Sequence, residues 1–421
     1  MELKRVVVTG IGSITPLGKD APTTWEALLN GVSGAAPVTL FDASMHKTKF
    51  ACEVKDYNVN DYFDRKEARK FDRYAQFAVV SSNEALKDSG ILDYEQLDRD
   101  EVGVIFSAGI GGLKTLEDEL YGYERNRQLG PKFNPFFIPK MIADIAAGHI
   151  SMINGFRGPN FSPVSACASS TNAIIDAFNY IRLGKAVAFV CGGSEASVTE
   201  SSVGGFNAMQ ALSTRNDSPQ SASRPFSKSR DGFVMGEGSA ALVLEDMEHA
   251  LARGAKIYAE VVGGGMSADA YHLTASHPEG LGAKLVMRRA LKDAEMQPEE
   301  IDYINVHGTS TPVGDISEVR AIKEVFGEHA PKLNISSTKS MTGHLLGATG
   351  ALEAMVCVLS IQNDVVPPTI NFTPGDEDEE IDYSLNYTFN QPQKRVVNAA
   401  LSNTFGFGGH NASLIFKKFA K

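Results

Sequence analysis

The chain has few of the features that mark secreted, membrane-spanning or metal-binding proteins. Its 421 residues include four cysteines, Cys52, Cys167, Cys191 and Cys357, with no paired spacing. A disulfide framework and a metal site are therefore disfavoured, and a reducing compartment is expected. No apolar run is long enough to span a bilayer, and the opening segment MELKRVVVTG lacks the pattern of a signal peptide. These observations predict a cytoplasmic protein with no membrane insertion and no metal.

Positive charge is also scarce. The chain has 40 Lys and Arg against 51 Asp and Glu, a formal net charge of −11, which argues against general nucleic-acid binding. Four basic residues nevertheless cluster near the start of a segment, residues 64 to 87, that we expect to be helical. The cluster could be a solvated helix face or a docking surface for an acidic partner. Its members are Arg65, Lys66, Arg69 and Lys70.

The second part of the sequence repeats the first. EALKDSGI (84–91) is echoed by RALKDAEM (289–296), and each is followed by an acidic loop and an apolar strand. Further matches fall in the same order, so we expect a duplicated α/β unit with halves at 1–254 and 255–421. Short apolar strands that alternate with helices predict mainly parallel, well-covered sheets.

Glycines follow the first predicted strand, residues 5 to 9, in the segment GIGSITPLG. A dinucleotide-binding dehydrogenase would need the spacing GxGxxG and an acidic residue after a second strand. The spacing differs, Pro16 lies in the expected helix start, and residues 28 to 38 offer no such acidic pattern. A tight turn under a packed helix is therefore favoured.

Cys167 lies in the segment PVSACASSTNA, between a strand-like run that ends at Ser165 and a predicted buried helix. Free N–H groups and the dipole at a helix N-terminus favour an anion, which for cysteine is the nucleophilic thiolate. The alternative is a buried structural thiol. The apolar period that indicates the helix is formed by Ile174, Ile175, Phe178 and Ile181.

Two histidines accompany this cysteine in the second half. His307 follows the predicted strand IDYINV, so it should point into the crevice where α/β sheets hold ligands, with the Thr309 and Thr311 hydroxyls beside it. His344 and Lys339 precede a predicted buried helix, where they are costly to bury without a purpose. Each histidine alone is typical of a core or surface residue, but the combination with Cys167 indicates a catalytic site.

A glycine-rich stretch, SNTFGFGGHNAS, precedes the last predicted strand. Its glycines at 406, 408 and 409 would let backbone N–H groups approach a ligand, as an oxyanion hole requires. Phe405 and Phe407 could wall or gate a site there. The alternative is a tight loop.

Six motifs, in order, cover essentially the whole chain: VVVTGIGSITPLG, SACASSTNA, RPFSKSRDGFVMGEGSA, INVHGTSTPVGD, STKSMTGHLLGATGALE and SNTFGFGGHN. Together they resemble the β-ketoacyl-[acyl-carrier-protein] synthases of the thiolase-like superfamily, and most of all the type II members. The resemblance implies a five-layered αβαβα sandwich, a homodimer and an acyl carrier protein partner. It also implies a decarboxylative condensation of malonyl-carrier with an acyl group, without a cofactor, because phosphopantetheine arrives on the carrier.

The resemblance assigns roles to matching positions. Cys167 would take the acyl chain, His307 and His344 would be the catalytic histidines, and Lys339 and Glu353 would support them. The remaining matches are Phe407 as the gate with Phe405 beside it, Thr309 and Thr311 at the phosphopantetheine arm, Ile110 in the acyl pocket, and Arg65, Lys66, Arg69 and Lys70 as the carrier-docking surface.

Two positions depart from the family pattern. Ser227 stands where many members have aspartate, and His410 stands where some have threonine. A type I synthase or a polyketide ketosynthase would share the same cysteine and histidines. A non-catalytic chain-length factor would lack the nucleophile that this chain has at Cys167.

Overall fold

The computed structural model describes residues 3–420. The first two residues of the opening segment MELKRVVVTG, which we interpreted above as lacking a signal-peptide pattern, lie outside the described residues. Within this range no helix is both long enough and apolar enough to cross a membrane. The strands are β1 (Val6–Ile14), β2 (Ala36–Pro37), β3 (Phe50–Ala51), β4 (Val102–Ser107), β5 (Asn160–Phe161), β6 (Ala188–Glu195), β7 (Gly238–Asp246), β8 (Ala259–Ala268), β9 (Tyr303–Asn305), β10 (Asn334–Ser336), β11 (Val365–Val366), β12 (Gln393–Lys394), β13 (Ala399–Gly406) and β14 (His410–Lys417).

The helices alternate with these strands along the chain. They are α1 (Ala21–Leu29), α2 (Arg65–Ala68), α3 (Arg73–Ser89), α4 (Leu113–Arg125), α5 (Phe137–Met141), α6 (Ile145–Asn154), α7 (Ser169–Arg182), α8 (Glu200–Ala208), α9 (Met247–Ala252), α10 (Leu281–Asp293), α11 (Pro312–Phe326), α12 (Lys339–Thr342) and α13 (Thr349–Asn363).

The main sheet has the order β10-β9-β13-β14-β8-β1-β7-β6-β4-β5. It consists of two five-strand blocks, β1-β7-β6-β4-β5 and β8-β14-β13-β9-β10, whose members correspond one to one. The blocks join where Val6 to Val8 pair with residues 259 to 261. The predicted α/β fold of two duplicated halves is confirmed, while the boundary between 1–254 and 255–421 stays a prediction.

The prediction of mainly parallel sheets is wrong for half of the strand pairings within each block. β4 pairs parallel with β5 and β6, and β9 does so with β10 and β13. β7 and β14, however, run antiparallel to both of their neighbours. The direct turn from β13 into β14 explains one reversal, because a short connection reverses the chain whereas a parallel pair needs a longer crossover.

Five layers follow from the helix packing. α7 and α13 pack on each other and each contacts strands of both blocks, so they form the central layer. α3 and α6 cover the outer face of the first block, and α10 and α11 pack together over the second. The predicted αβαβα sandwich is confirmed.

The glycines of the first motif lie inside β1 rather than in a turn. A Cβ atom at Gly10 would lie 2.2 Å from the Ala85 carbonyl oxygen, and one at Gly12 would lie 2.2 Å from that of Ser81. Both contacts are with α3, so the glycines let this helix approach the strand closely. The predicted packed helix is confirmed, whereas the predicted tight turn is wrong because β1 continues to Ile14.

The single helix expected over residues 64 to 87 is also wrong. α2 ends at Ala68, and α3 begins at Arg73 after an N-cap at Asp72. The buried Asp72 carboxylate accepts hydrogen bonds from the Tyr74 amide at 3.2 Å and the Thr115 hydroxyl at 2.6 Å. An N-cap residue has an extended backbone while its side chain accepts a hydrogen bond from the first turn of the next helix. Asp72 therefore separates α2 from α3.

Each central helix is preceded by a tight turn, which we call an elbow. The first elbow comprises residues 165–169 and the second comprises residues 345–349. Ala166 in the first has φ of 51°, and Leu346 in the second has φ of 48°. A non-glycine residue in this left-handed region is uncommon, so two at equivalent places indicate the same constrained turn in both halves.

Candidate active site

A cavity of about 540 Å³ lies where the two halves meet. Residues of the first elbow, the loop after β9, the second elbow and the turn between β13 and β14 all line it. It therefore brings together motifs that are far apart in the sequence. The predicted site residues that line it are Cys167, His307, His344, Ile110, Phe405, Phe407, Thr309 and Thr311.

Cys167 and His344 are in direct contact. The Cys167 Sγ atom lies 3.1 Å from His344 Nε2, and His344 Nδ1 lies 2.9 Å from the Thr349 hydroxyl oxygen. Burial, and then the charge of Lys339, lowers the pKa of His344 well below its usual value. The imidazole is therefore neutral, with one ring nitrogen on the sulfur and the other held by the start of α13.

The thiol of Cys167 is not acidified in the resting protein. Burial raises its pKa to about 12, although the charge of Lys339 and the backbone N–H groups of Phe407 and Cys167 favour the thiolate. Backbone N–H groups near the helix N-terminus therefore favour the thiolate, but desolvation of the thiolate outweighs these interactions. Cys167 must therefore transfer its proton during the reaction, and His344 is the adjacent group.

His307 lies on the other side of His344, with the two ring centroids 5.4 Å apart. Burial lowers its pKa well below the usual value, and the charge of Lys339 lowers it further. Its Nδ1 atom has no hydrogen-bond partner among the described residues. That atom is buried, but the His307 ring lines the cavity, so a second neutral imidazole faces the space where a ligand would lie.

The loop that carries His307 is held by a carboxylate that the sequence analysis missed. The His307 and Gly308 amides donate to Glu318 Oε1 and Oε2 at 2.9 and 2.8 Å. Burial raises the pKa of Glu318 to about 7, against the opposing effect of these hydrogen bonds. The available signal was a glutamate among the apolar residues of segment 312–326, because charged residues are rarely buried without partners.

Lys339 and Glu353 lie outside the cavity lining and form a buried ion pair. Their side chains are 2% and 1% exposed. Burial raises the pKa of Glu353 to about 8, while Lys339 opposes this effect. Since Lys339 also lowers the pKa of both histidines, its ammonium group is the source of local positive potential at the site.

The turn after β13 places backbone donors at the sulfur. The Phe407 and Cys167 N–H groups both favour the thiolate form of Cys167, so both lie close to its sulfur. A Cβ atom at Gly406 would lie 2.7 Å from the Ser165 carbonyl oxygen and 3.1 Å from the Cys167 amide. Only a glycine permits this approach.

The predicted gate residues are half-buried at the cavity. The Phe407 ring centroid is 6.3 Å from that of Phe206, and the Phe405 ring centroid is 5.6 Å from that of His307. The hydroxyl oxygens of Thr309 and Thr311 lie 3.0 Å apart. The rings therefore line an apolar side of the cavity, and the hydroxyl groups line a polar side of it.

The four predicted docking residues are not part of the cavity. Arg65 and Lys66 lie on α2 and Arg69 caps it, all three exposed, while Lys70 is half-buried and pairs with Glu67 at 2.7 Å. His410 is exposed too, with its ring over Gly408, and does not line the cavity. Among residues 3–420, no group of three His, Cys, Asp or Glu side chains is placed to hold a metal ion.

Two family descriptions match the chain. Residues 3–250 match "Beta-ketoacyl synthase, N-terminal domain", and residues 258–373 match "Beta-ketoacyl synthase, C-terminal domain". These matches include the first elbow and the segments that carry His307 and His344.

Known proteins resemble this chain over its full length. It is 50% identical over 420 residues to 3-oxoacyl-[acyl-carrier-protein] synthase 2 of Synechocystis sp., covering 100% of this chain and 99% of that protein. It is 48% identical to the protein of the same name from Staphylococcus aureus strain COL, covering 99% of each. A solved beta-ketoacyl synthase from Burkholderia phymatum superposes with a TM-score of 0.90 at 34% identity, covering 99% of this chain and 100% of that one.

A second solved structure is a type II polyketide ketosynthase bound to its acyl-carrier protein. It superposes with a TM-score of 0.89 at 32% identity, over 99% of this chain and 100% of the matched chain. Together the two structural similarities confirm the predicted thiolase-like fold.

Proposed function

Because this chain belongs to the beta-ketoacyl synthase family, we propose that it is a 3-oxoacyl-[acyl-carrier-protein] synthase 2 that elongates fatty acids by two carbons. It is an acyltransferase that condenses malonyl-carrier with an acyl group held on Cys167. The observation that carries the proposal is the contact of Cys167 Sγ with His344 Nε2 at 3.1 Å, with His307 next to His344 in the same cavity. This constellation does not fit a chain-length factor, which lacks the nucleophile.

Acyl transfer comes first. Cys167 Sγ attacks the carbonyl carbon of the acyl thioester, a new carbon–sulfur bond forms, and the bond to the phosphopantetheine sulfur breaks. The Cys167 proton passes to the departing thiolate, with His344 Nε2 in place to relay it. The Cys167 and Phe407 N–H groups donate to the oxyanion, and donors of this kind contribute about 3 kcal/mol each. Covalent storage of the acyl group gives ping-pong kinetics.

Condensation comes second. Malonyl-carrier loses CO2, and the electron pair of the broken carbon–carbon bond moves into an enolate. His307 and His344 remain neutral because burial and the charge of Lys339 lower their pKa values. Each neutral imidazole has one ring N–H group, which it can donate to the enolate oxygen. The enolate carbon then attacks the acyl carbonyl, the carbon–sulfur bond to Cys167 breaks, and the released thiolate takes up a proton from solvent.

We also propose an acyl carrier protein as the partner. The basic cluster, Arg65, Lys66, Arg69 and Lys70, gives an otherwise acidic protein a local surface for an acidic carrier. The Thr309 and Thr311 hydroxyls at the cavity entrance suit the amide groups of a phosphopantetheine arm. Such a reaction is expected in the cytoplasm.

A homodimer is proposed from the free edge of the sheet. β5 is the last strand of the first block and pairs only with β4 in the described sheet. Apolar side chains flank it, with Met152 67%, Ile153 51% and Val164 58% exposed. A second copy would cover this apolar edge. Sedimentation of the wild-type protein and of Val164→Asp should give a dimer and a shift toward monomer; a monomeric wild-type protein would contradict this proposal.

Mass spectrometry of the products tests the proposed function. The protein would be mixed with malonyl-carrier and a series of acyl-carriers, beside Cys167→Ala and the matched control Cys191→Ala, a buried cysteine that does not line the cavity. We expect 3-oxoacyl-carriers two carbons longer from the wild-type and the control, and none from Cys167→Ala. Products from Cys167→Ala, or none from the folded wild-type protein, would overturn the proposal.

A further inference from the structure

Glu195 is a completely buried carboxylate that the reaction above does not use. It is the last residue of β6, and its two oxygen atoms accept hydrogen bonds from a loop of the first half and from the second elbow. The donors are the amides of Gly109 at 2.8 Å, Ile110 at 3.3 Å, Gly111 at 3.2 Å and Gly347 at 3.1 Å, and the Ser197 hydroxyl at 3.1 Å.

The duplication shows what is unusual about this position. β6 and β13 correspond in the two blocks, and they end at Glu195 and Gly406. Gly406 approaches the first elbow and leaves room at the Cys167 amide. Glu195 approaches the second elbow and binds the Gly347 amide, which corresponds to that of Cys167. A carboxylate of the protein therefore occupies the place where the active half would receive an oxyanion.

The same carboxylate holds one wall of the cavity. Three successive N–H groups, from Gly109 to Gly111, converge on it, and the middle one belongs to Ile110, which lines the cavity. The loop is tightly packed at its first residue, because a Cβ atom at Gly109 would lie only 2.8 Å from Glu195 Oε2 and 3.3 Å from the Ala166 carbonyl oxygen. The backbone position of Ile110 therefore depends on Glu195.

We propose that Glu195 is a positioning residue for acyl-chain selectivity: it holds Ile110 in the cavity wall and thereby determines how well a long acyl group is accepted on Cys167. The inference rests on the proposed function, because it concerns the acyl group that this site would receive. A short acyl group needs only the space at the sulfur, whereas a long one must pass the wall that carries Ile110. Glu195 touches neither group. Its charge also raises the pKa of the Cys167 thiol, but that effect is the same for short and long acyl groups and cancels in their ratio, whereas the loop affects only the long ones.

Glu195→Gln tests the proposal. The amide keeps the size of the side chain but turns one acceptor into an N–H donor that faces the backbone donors. Intact-protein mass spectrometry would follow acylation of Cys167 by acetyl-, octanoyl- and hexadecanoyl-carriers. We expect the ratio of kcat/KM for hexadecanoyl to that for acetyl to fall by at least about tenfold. An unchanged or increased ratio in the folded variant would overturn the proposal.

Glu84→Gln is the matched control. Glu84 is a half-buried glutamate that likewise accepts backbone N–H groups, from Ser13 at 2.7 Å and Ala21 at 2.8 Å, but it does not line the cavity. This variant should lower the melting temperature and leave the chain-length ratio unchanged. A purely structural role for Glu195 would make the two variants alike.

Ile110→Ala provides a second test of the proposed role of Glu195 in case Glu195→Gln does not fold. The change leaves every backbone bond to Glu195 in place, yet it should alter the same chain-length ratio. An unaltered ratio would overturn the proposal, because Glu195 would have no selective wall to position. Failure of the proposed function is distinguishable, since the wild-type protein would then form no adduct on Cys167 with any acyl-carrier.

Discussion

The two elbows share a backbone conformation but differ in the side chain at their central residue. In the first, Ala166 with φ of 51° precedes Cys167, whose side chain faces the cavity; in the second, Leu346 with φ of 48° precedes Gly347. A Cβ atom at Gly347 would lie 2.0 Å from the Gly109 amide nitrogen, so the second elbow has no room for a nucleophile. The duplicated turn therefore provides one reactive position and one packing position.

The elbows also differ at the residue three positions before the central one, which has a reactive side chain in only one half. His344 precedes Gly347 and is buried against Cys167, whereas its counterpart Val164 precedes Cys167 and is 58% exposed. Each half thus supplies what the other lacks: the first half contributes the sulfur and the second half contributes the imidazole. A complete site exists only where the halves meet.

Cys167→Gly makes the first elbow chemically the same as the second and should have the largest effect. Without the sulfur no acyl group can be stored, so elongation should fall by at least about a thousandfold. Steady-state elongation assays check this, with the buried Cys191→Ala as the control. Elongation within tenfold of the wild-type rate would show that Cys167 is not the nucleophile.

His344→Val gives the second half the residue that the first half has at Val164. Loss of a proton-transfer and donor group of this kind costs about 10²- to 10⁴-fold in rate. We expect CO2 release from malonyl-carrier to slow by that factor while the fold is retained. His329→Gln, at a histidine that does not line the cavity, should have little effect. CO2 release from malonyl-carrier at the wild-type rate in His344→Val would show that His344 does not assist decarboxylation.

Gly347→Ala tests the packing role of the second elbow. The added methyl group meets backbone atoms that cannot yield easily, so the free energy of unfolding should fall by about 3 kcal/mol. Denaturant unfolding measures this. Gly205→Ala is the matched control, since a Cβ atom there meets nothing within 4 Å; in the helix α8 it should stabilise by up to about 1 kcal/mol. Equal stability of the two variants would contradict the crowding at Gly347.

Lys339→Met should have the smallest effect on rate and should change its pH dependence. The Lys339 charge lowers the pKa of His307 and His344, so its removal raises both values toward the usual one. The histidines then gain a proton at a higher pH, and the acidic limb of the pH–rate profile should move upward. Lys339→Arg keeps the charge and should keep the wild-type profile. An unmoved limb in Lys339→Met would argue against electrostatic control by this lysine.

Several features could be predicted from the sequence because they depend on neighbouring residues. The apolar period after Cys167 indicated α7, and the order of repeated segments indicated the duplicated α/β fold. The helix expected over residues 64 to 87 was wrong because Asp72 caps α3 at the Tyr74 amide while the Thr115 amide holds its other oxygen. Glu318, Thr349 and Glu195 were missed because their partners lie elsewhere in the chain.

The sequence by itself determined the local elements, the repeat and the residue types of the candidate site. Only the tertiary structure decided that Cys167 and His344, 177 positions apart, are in contact, and that one elbow is open while the other is filled. It also decided the protonation states, because burial raises the pKa of Cys167 and lowers those of the histidines. Desolvation and distance are properties of the space around a group, and residues remote in sequence create that space.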